Sequence, residues 1–149
     1  MFKKYFTIEE ANCHIPFVKE EMSELQNLQE SFTESVKHYE LVKHSPIPDT
    51  GEKLFYLECM VDFVEIQANL HIERLERNGI LVKSIDHGLV DFPAKVEGEP
   101  VLLCWRQGES QVKYYHGLFE GFTGRKKISR TDDINLDRER KNKTCVWSR

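Results

Sequence analysis

No hydrophobic run in the 149 residues approaches the roughly 18 residues a membrane-spanning helix needs, so no span is expected. The start, Met1-Phe2-Lys3-Lys4-Tyr5-Phe6, has two lysines but lacks the apolar core of a secretion signal. No Cys-x-x-Cys occurs. The four cysteines, Cys13, Cys59, Cys104 and Cys145, stand far apart, so neither disulfides nor a cysteine-based zinc site is expected and a cytoplasmic location is inferred. Strong net charge is missing too. At −4 the chain has no overall attraction for nucleic acid or an anionic membrane, and neither is expected as a partner.

What is present is charge patterned along helices. Charged residues make up 31% of the chain and hydrophobic ones 40%, a mix that suits rods with narrow apolar stripes. Thr7-Ile8-Glu9-Glu10 reads as a capping box, in which the Thr7 hydroxyl accepts from the N–H three residues on. A short first helix is predicted through about His14, interrupted by Pro16. From Pro16 to Lys43, Val18, Leu25, Phe32 and Tyr39 recur every seven residues, with Met22, Gln29 and Val36 on the second seam position. Ser45 to Gly51 breaks the pattern with two prolines and a glycine, and Asp49 or Thr50 can cap the next helix. A second rod is predicted from Glu52 to Asn78, with Leu54, Leu57, Val61, Val64, Ala68, His71 and Leu75 on its seam. Two matched rods on a short loop fold back antiparallel.

After Gly79 the period changes to two. Ile80-Leu81-Val82 is a short apolar run, and Asp86-His87-Gly88 a turn. Strands are predicted over 89–96, 101–106 and 111–116, with turns at Glu97-Gly98 and around Gly108-Glu109. That register places Phe92 opposite Leu103, Val90 opposite Trp105 and Leu103 opposite Tyr114. One face then collects Val90, Phe92, Ala94, Val101, Leu103, Trp105, Val112 and Tyr114 against the helices. The other face, with Asp91 and Cys104, is expected to be half-exposed. Asp91 and His116 fall on opposite faces. The fold class is therefore α+β: a long antiparallel helical hairpin, with a short N-terminal helix, packed on a three-stranded antiparallel β-meander. Residues 1–126 form one domain in this reading. From Lys126 on, eight basic residues stand against four acidic ones, and 127–149 is expected to be a flexible basic tail whose Val146 and Trp147 can dock.

The strings Tyr5-Phe6-Thr7-x-Glu9-Glu10-Ala11-Asn12, Gly88 to Ala94, Leu103-Cys104-Trp105-Arg106-x-Gly108-Glu109, then His116 and Gly121-Phe122-x-Gly124-Arg125, resemble a widespread family of short bacterial proteins known only as a domain of unknown function. The resemblance covers about residues 5 to 126. It implies where a site lies rather than an activity: Asp91, Trp105, Arg106, Glu109, His116, Gly121 and Arg125 match the family's marked positions. Members of that family often read Trp-His-Glu where this chain has Tyr115-His116-Gly117, and Glu120 is the nearby carboxylate left.

These residues suggest two chemistries. Asp86, Asp91, His116 and Glu120 are suitable ligands or acid/base groups for a divalent metal ion. Arg106 and Arg125 are suited to an anion, with an Asp91–Arg106 ion pair as the structural alternative. Trp105 reads as a core anchor and His71 as a hydrogen-bonded core histidine, while Cys104, beside Asp91 and Arg106, has no evident base to activate it. Function divides accordingly. The leading reading is a binding protein that self-associates as a dimer through its helices. The other is a metal- or anion-dependent enzyme with a site between the sheet and the Gly117–Arg125 loop, formed by Asp91, Arg106, His116, Glu120 and Arg125.

Overall fold

A computed structural model describes residues 2–48 and 51–129. The proposed caps Asp49 and Thr50, the tail beyond 129, Cys145, Val146 and Trp147 lie outside the described residues. Helix α1 runs Ile8–Lys43 and helix α2 Glu52–Arg77. Five strands come after them: β1 Leu81–Ser84, β2 Leu89–Val96, β3 Glu99–Arg106, β4 Tyr114–His116 and β5 Lys126–Lys127. They form one antiparallel sheet in the order β1-β2-β3-β4-β5. The α+β class holds, and the meander has five strands instead of three.

The capping box forms its forward half, with the Glu10 N–H donating to Thr7 Oγ1 at 3.1 Å. Pro16 does not break the helix, and no separate short N-terminal helix exists: α1 is continuous through it. The ring faces solvent, while Ile15, Phe17 and Val18 on either side are buried. Burying those three side chains offsets the roughly 3 kcal/mol that an interior proline costs a helix. At the end of α2, the Ile80 N–H reaches Leu75 O at 3.0 Å and the Gly79 N–H reaches Glu76 O at 2.9 Å, the paired bonds of a Schellman cap.

The chain divides into two compact units. In the first, whose described residues are 2–22 and 74–129, the start of α1 and the end of α2 accompany the sheet. Val90, Phe92, Leu103 and Trp105 are fully buried on one sheet face, as the sequence predicts. The Phe6 ring meets Phe92 edge-on at 5.2 Å, and the Phe6 N–H donates to Pro93 O at 2.7 Å. Trp105 is a core anchor whose indole N–H donates to Glu109 O at 3.0 Å. In the second unit, Ser23–Glu73, Leu25, Leu57 and Val64 are buried between antiparallel helices, and the Tyr39 hydroxyl donates to Glu58 at 3.2 Å. The α1 seam is covered only near its start. Phe32 and Val36 remain exposed, and His71 is half-buried.

The β2–β3 turn is as expected: Glu97 (φ 50°) and Gly98 (φ 83°) are both left-handed, and Val96 faces Glu99. The next connection is not a tight turn. Val112 leaves the ladder, buries itself and donates its N–H to Asn12 Oδ1 of α1 at 2.7 Å. Pairing resumes only at Tyr114, so Leu103 faces Tyr115, Cys104 faces Tyr114 and Leu102 faces His116. This is a slip of one residue from the predicted register. It moves Tyr114 and His116 to the other sheet face.

Candidate functional site at the buried Asp91, Cys104 and His116

Strand β2 presents Asp91, β3 presents Cys104 directly opposite, and the shifted β4 presents His116 on the same face. The expectation that Asp91 and His116 lie on opposite faces is therefore overturned. His116 Nε2 stands 3.2 Å from Asp91 Oδ2. Cys104 completes the group, and one ligand atom from each of the three lies within 4.8 Å of the others. All three side chains are buried, so this face is not half-exposed at its centre.

Hydrogen bonding fixes how the imidazole is used. His116 Nδ1 lies 2.8 Å from Gly117 O, a carbonyl that can only accept, so the Nδ1 proton is committed there. Nε2 is left facing Asp91. At 3.2 Å the two atoms share one proton, carried by either partner. Asp91 Oδ1 is buried without a hydrogen-bond partner, though the weakly donating Cys104 thiol lies beside the carboxylate.

Burial pushes the Asp91 carboxyl above its usual range. The nearby His116 and Lys83 charges pull the other way. Burial, reinforced by the Asp91 charge, pushes the Cys104 thiol up to about 12. A thiol in that state is not a nucleophile at neutral pH.

The three residues form the floor of an open cleft walled by Leu89, Leu118 and Phe122 and edged by Lys83 and Glu120. Glu120 is exposed, and its Oε2 accepts the Gly117 N–H at 2.8 Å, a bond that lowers its carboxyl below the ordinary value. Glu120 thus holds the turn whose carbonyl fixes His116. Leu118 and Phe122 meet the cleft, whereas Phe119 is fully exposed.

The two arginines do not join the group. Arg125 pairs with Glu109, with its guanidinium 3.9 Å from the Tyr114 ring centroid and 4.5 Å from that of Phe122. Arg106 is exposed and lies over Phe122 at 5.4 Å, and its backbone N–H donates to Glu109 Oε2 at 3.0 Å. The Asp91–Arg106 ion pair does not form: His116 pairs with Asp91 Oδ2, and the Arg106 guanidinium lies over the Phe122 ring. Glu109, Arg125 and Phe122 fasten the 107–125 segment to the sheet. Asp86 is exposed in the turn before β2 and has no place in the cluster.

Cys104 is the member that sequence pattern alone does not place in a ligand set. The β2–β3 register already sets it opposite Asp91, but without the slip in β4 no third ligand reaches it. Cys59 and Cys104 carry free thiols. Cys13 is disulfide-bonded, contrary to the expectation from cysteine spacing, so the cysteines no longer argue for a reducing compartment.

No curated protein and no solved structure matches the chain. The model of an uncharacterised conserved protein family, DUF2203, matches residues 4–128, and the chain belongs to that family.

Proposed function

We propose that the protein binds a divalent transition-metal ion of the zinc class through Asp91, Cys104 and His116, with the fourth coordination position open to the cleft. The observation that carries this is the aim of the imidazole. Nδ1 is held by a backbone carbonyl, and Nε2 is directed at a buried carboxylate beside a thiol. Metal-ligating histidines characteristically donate their second ring N–H in this way. Ligands held at about 2.0–2.3 Å by a tetrahedral ion stand roughly 3.3–3.7 Å apart, so the 3.2 Å Nε2–Oδ2 separation closely suits a shared ion. A mixed sulfur, nitrogen and oxygen donor set favours zinc over magnesium or calcium.

The ion also accounts for what is otherwise costly. It would take the place of a proton between Asp91 and His116, would coordinate a carboxylate whose Oδ1 has no hydrogen-bond partner, and would stabilise the Cys104 thiolate. Three protein ligands and one open position are the pattern of a site that activates water or takes a ligand directly. The pocket walls are mainly apolar, with Lys83 and Glu120 as the polar groups. This supports the enzyme reading in its metal form. The anion form has lost Arg106 and Arg125.

The test is elemental analysis of protein purified without a histidine tag or chelator, beside Cys104→Ser and His116→Gln. About one equivalent of zinc in the parent chain, and loss in both variants, is expected. A parent chain that holds no metal and does not take up added zinc would overturn the proposal.

A further inference from the structure

On α2, Phe55, Cys59, Phe63, Ile66 and Leu70 recur at intervals of four, four, three and four residues. That spacing lays them along one side of the helix. It is not the side that carries Leu57 and Val64, which are buried against α1. Phe55 is 67% exposed, Tyr56 beside it 63%, Phe63 56%, Ile66 58% and Leu70 44%, and the Cys59 thiol is exposed among them. We infer that this stripe is a self-association surface, covered by the same stripe of a second copy of the chain.

Three features favour a second copy. The first is area. A large aromatic side chain buries about 150–250 Å² when enclosed, so Phe55, Tyr56 and Phe63, each more than half exposed, leave together with Ile66 and Leu70 on the order of 500 Å² open. Two such stripes together bury on the order of 1,000 Å², the size at which a specific interface begins. The second is spacing. Steps of four, four, three and four keep the stripe on one side of the helix over about four turns, and a second copy of the chain supplies a matching straight stripe. The third is charge. Glu58, Asp62 and Glu65 line one border of the stripe, which disfavours anionic lipid or nucleic acid as the occupant. The surface differs from the helix seam expected to drive dimerisation, because the seam residues Leu57 and Val64 are used within the hairpin. It is also independent of the metal ligands, all of which lie on β2, β3 and β4.

Light scattering and sedimentation of the full chain across a range of concentrations provide the test. The parent chain should weigh twice 17.6 kDa. Phe63→Glu combined with Ile66→Glu should weigh a single chain with its helical circular dichroism retained. A parent chain that stays monomeric at high concentration, or a folded double variant that stays dimeric, would overturn the inference. Alkylation of Cys59 in the parent chain gives a second readout that needs no variant. Its rate should fall as protein concentration rises, and a rate independent of concentration counts against a covered stripe.

Discussion

Asp91 and His116 meet at 3.2 Å although their strands never pair, because β3 lies between β2 and β4. The contact spans the breadth of three strands, so it depends on both registers at once. In metal-free protein, His116→Gln leaves the buried Asp91 carboxyl without the imidazole it pairs with. Loss of one member of a buried pair costs about 3 kcal/mol, and urea unfolding monitored by circular dichroism should show it. Asp91→Asn combined with His116→Gln should recover part of that loss, because neither residue then leaves a charge unmatched.

The two free cysteines among the described residues should separate cleanly by reactivity. Cys104 is buried, and its thiol is pushed up to about 12 by burial and by the Asp91 charge. Cys59 is exposed. Iodoacetamide at pH 8 with dilute native protein should modify Cys59 and spare Cys104, as read by peptide mass spectrometry. Modification of Cys104 at a comparable rate would mean that the cluster is open to solvent.

Metal binding should release protons. The ion must displace the thiol proton of Cys104, which is pushed up to about 12, so about one proton or more leaves on binding near neutral pH. Zinc titration by calorimetry in buffers of different ionisation enthalpy measures that number. Cys104→Ser should lower both the affinity and the proton count.

His14 predicts a pH effect outside the site. Its Nδ1 donates to Glu10 O at 2.8 Å, and burial, assisted by Lys4 nearby, lowers its pKa below 6.5. The unfolded chain therefore binds the proton first as pH falls, and the stability contributed by neutral His14 is present above pH 6.5 and lost below it. Asp91, whose carboxyl is raised, acts in the opposite sense, so the comparison is made between variants. Melting temperatures from pH 7.5 to 5.5 should fall more steeply for the parent chain than for His14→Gln.

Gly88 is where backbone geometry is least forgiving. It sits at φ +61°, and a Cβ there would lie 2.4 Å from Gln107 Cβ. Its carbonyl accepts the Gln107 N–H at 2.9 Å, which ties the β1–β2 turn to the end of β3. Gly88→Ala should cost about 2 kcal/mol or more, since a left-handed conformation and a close contact are both involved. Thermal melts of the variant against the parent chain check it.

Much of the fold was legible because local signals agreed. Thr7 caps where a capping residue belongs, the Glu97-Gly98 turn sets the β2–β3 register, and Phe92, Leu103 and Trp105 bury together. The second register was not legible from local pattern. Val112 donates its N–H to Asn12, a hundred residues away, and strand pairing resumes only after it, at Tyr114. Period-two alternation cannot detect such a partner, and one residue of slip exchanges the two sheet faces. The site took the same course. Asp91 and His116 were recognisable as residue types, but their meeting, and the inclusion of Cys104, required the slip. Arg106 and Arg125 looked free because the sequence does not show that Glu109, Phe122 and Tyr114 hold the 107–125 segment with them.

The most direct test of the metal site is the absorption spectrum of cobalt-substituted protein. Cobalt bound by Cys104 with Asp91 and His116 should give an intense near-ultraviolet thiolate-to-metal band with tetrahedral visible bands. Cys104→Ser should abolish the first, and competing zinc should remove both. A spectrum that is the same in the parent chain and in Cys104→Ser, or that is no different from free cobalt in buffer, would contradict it.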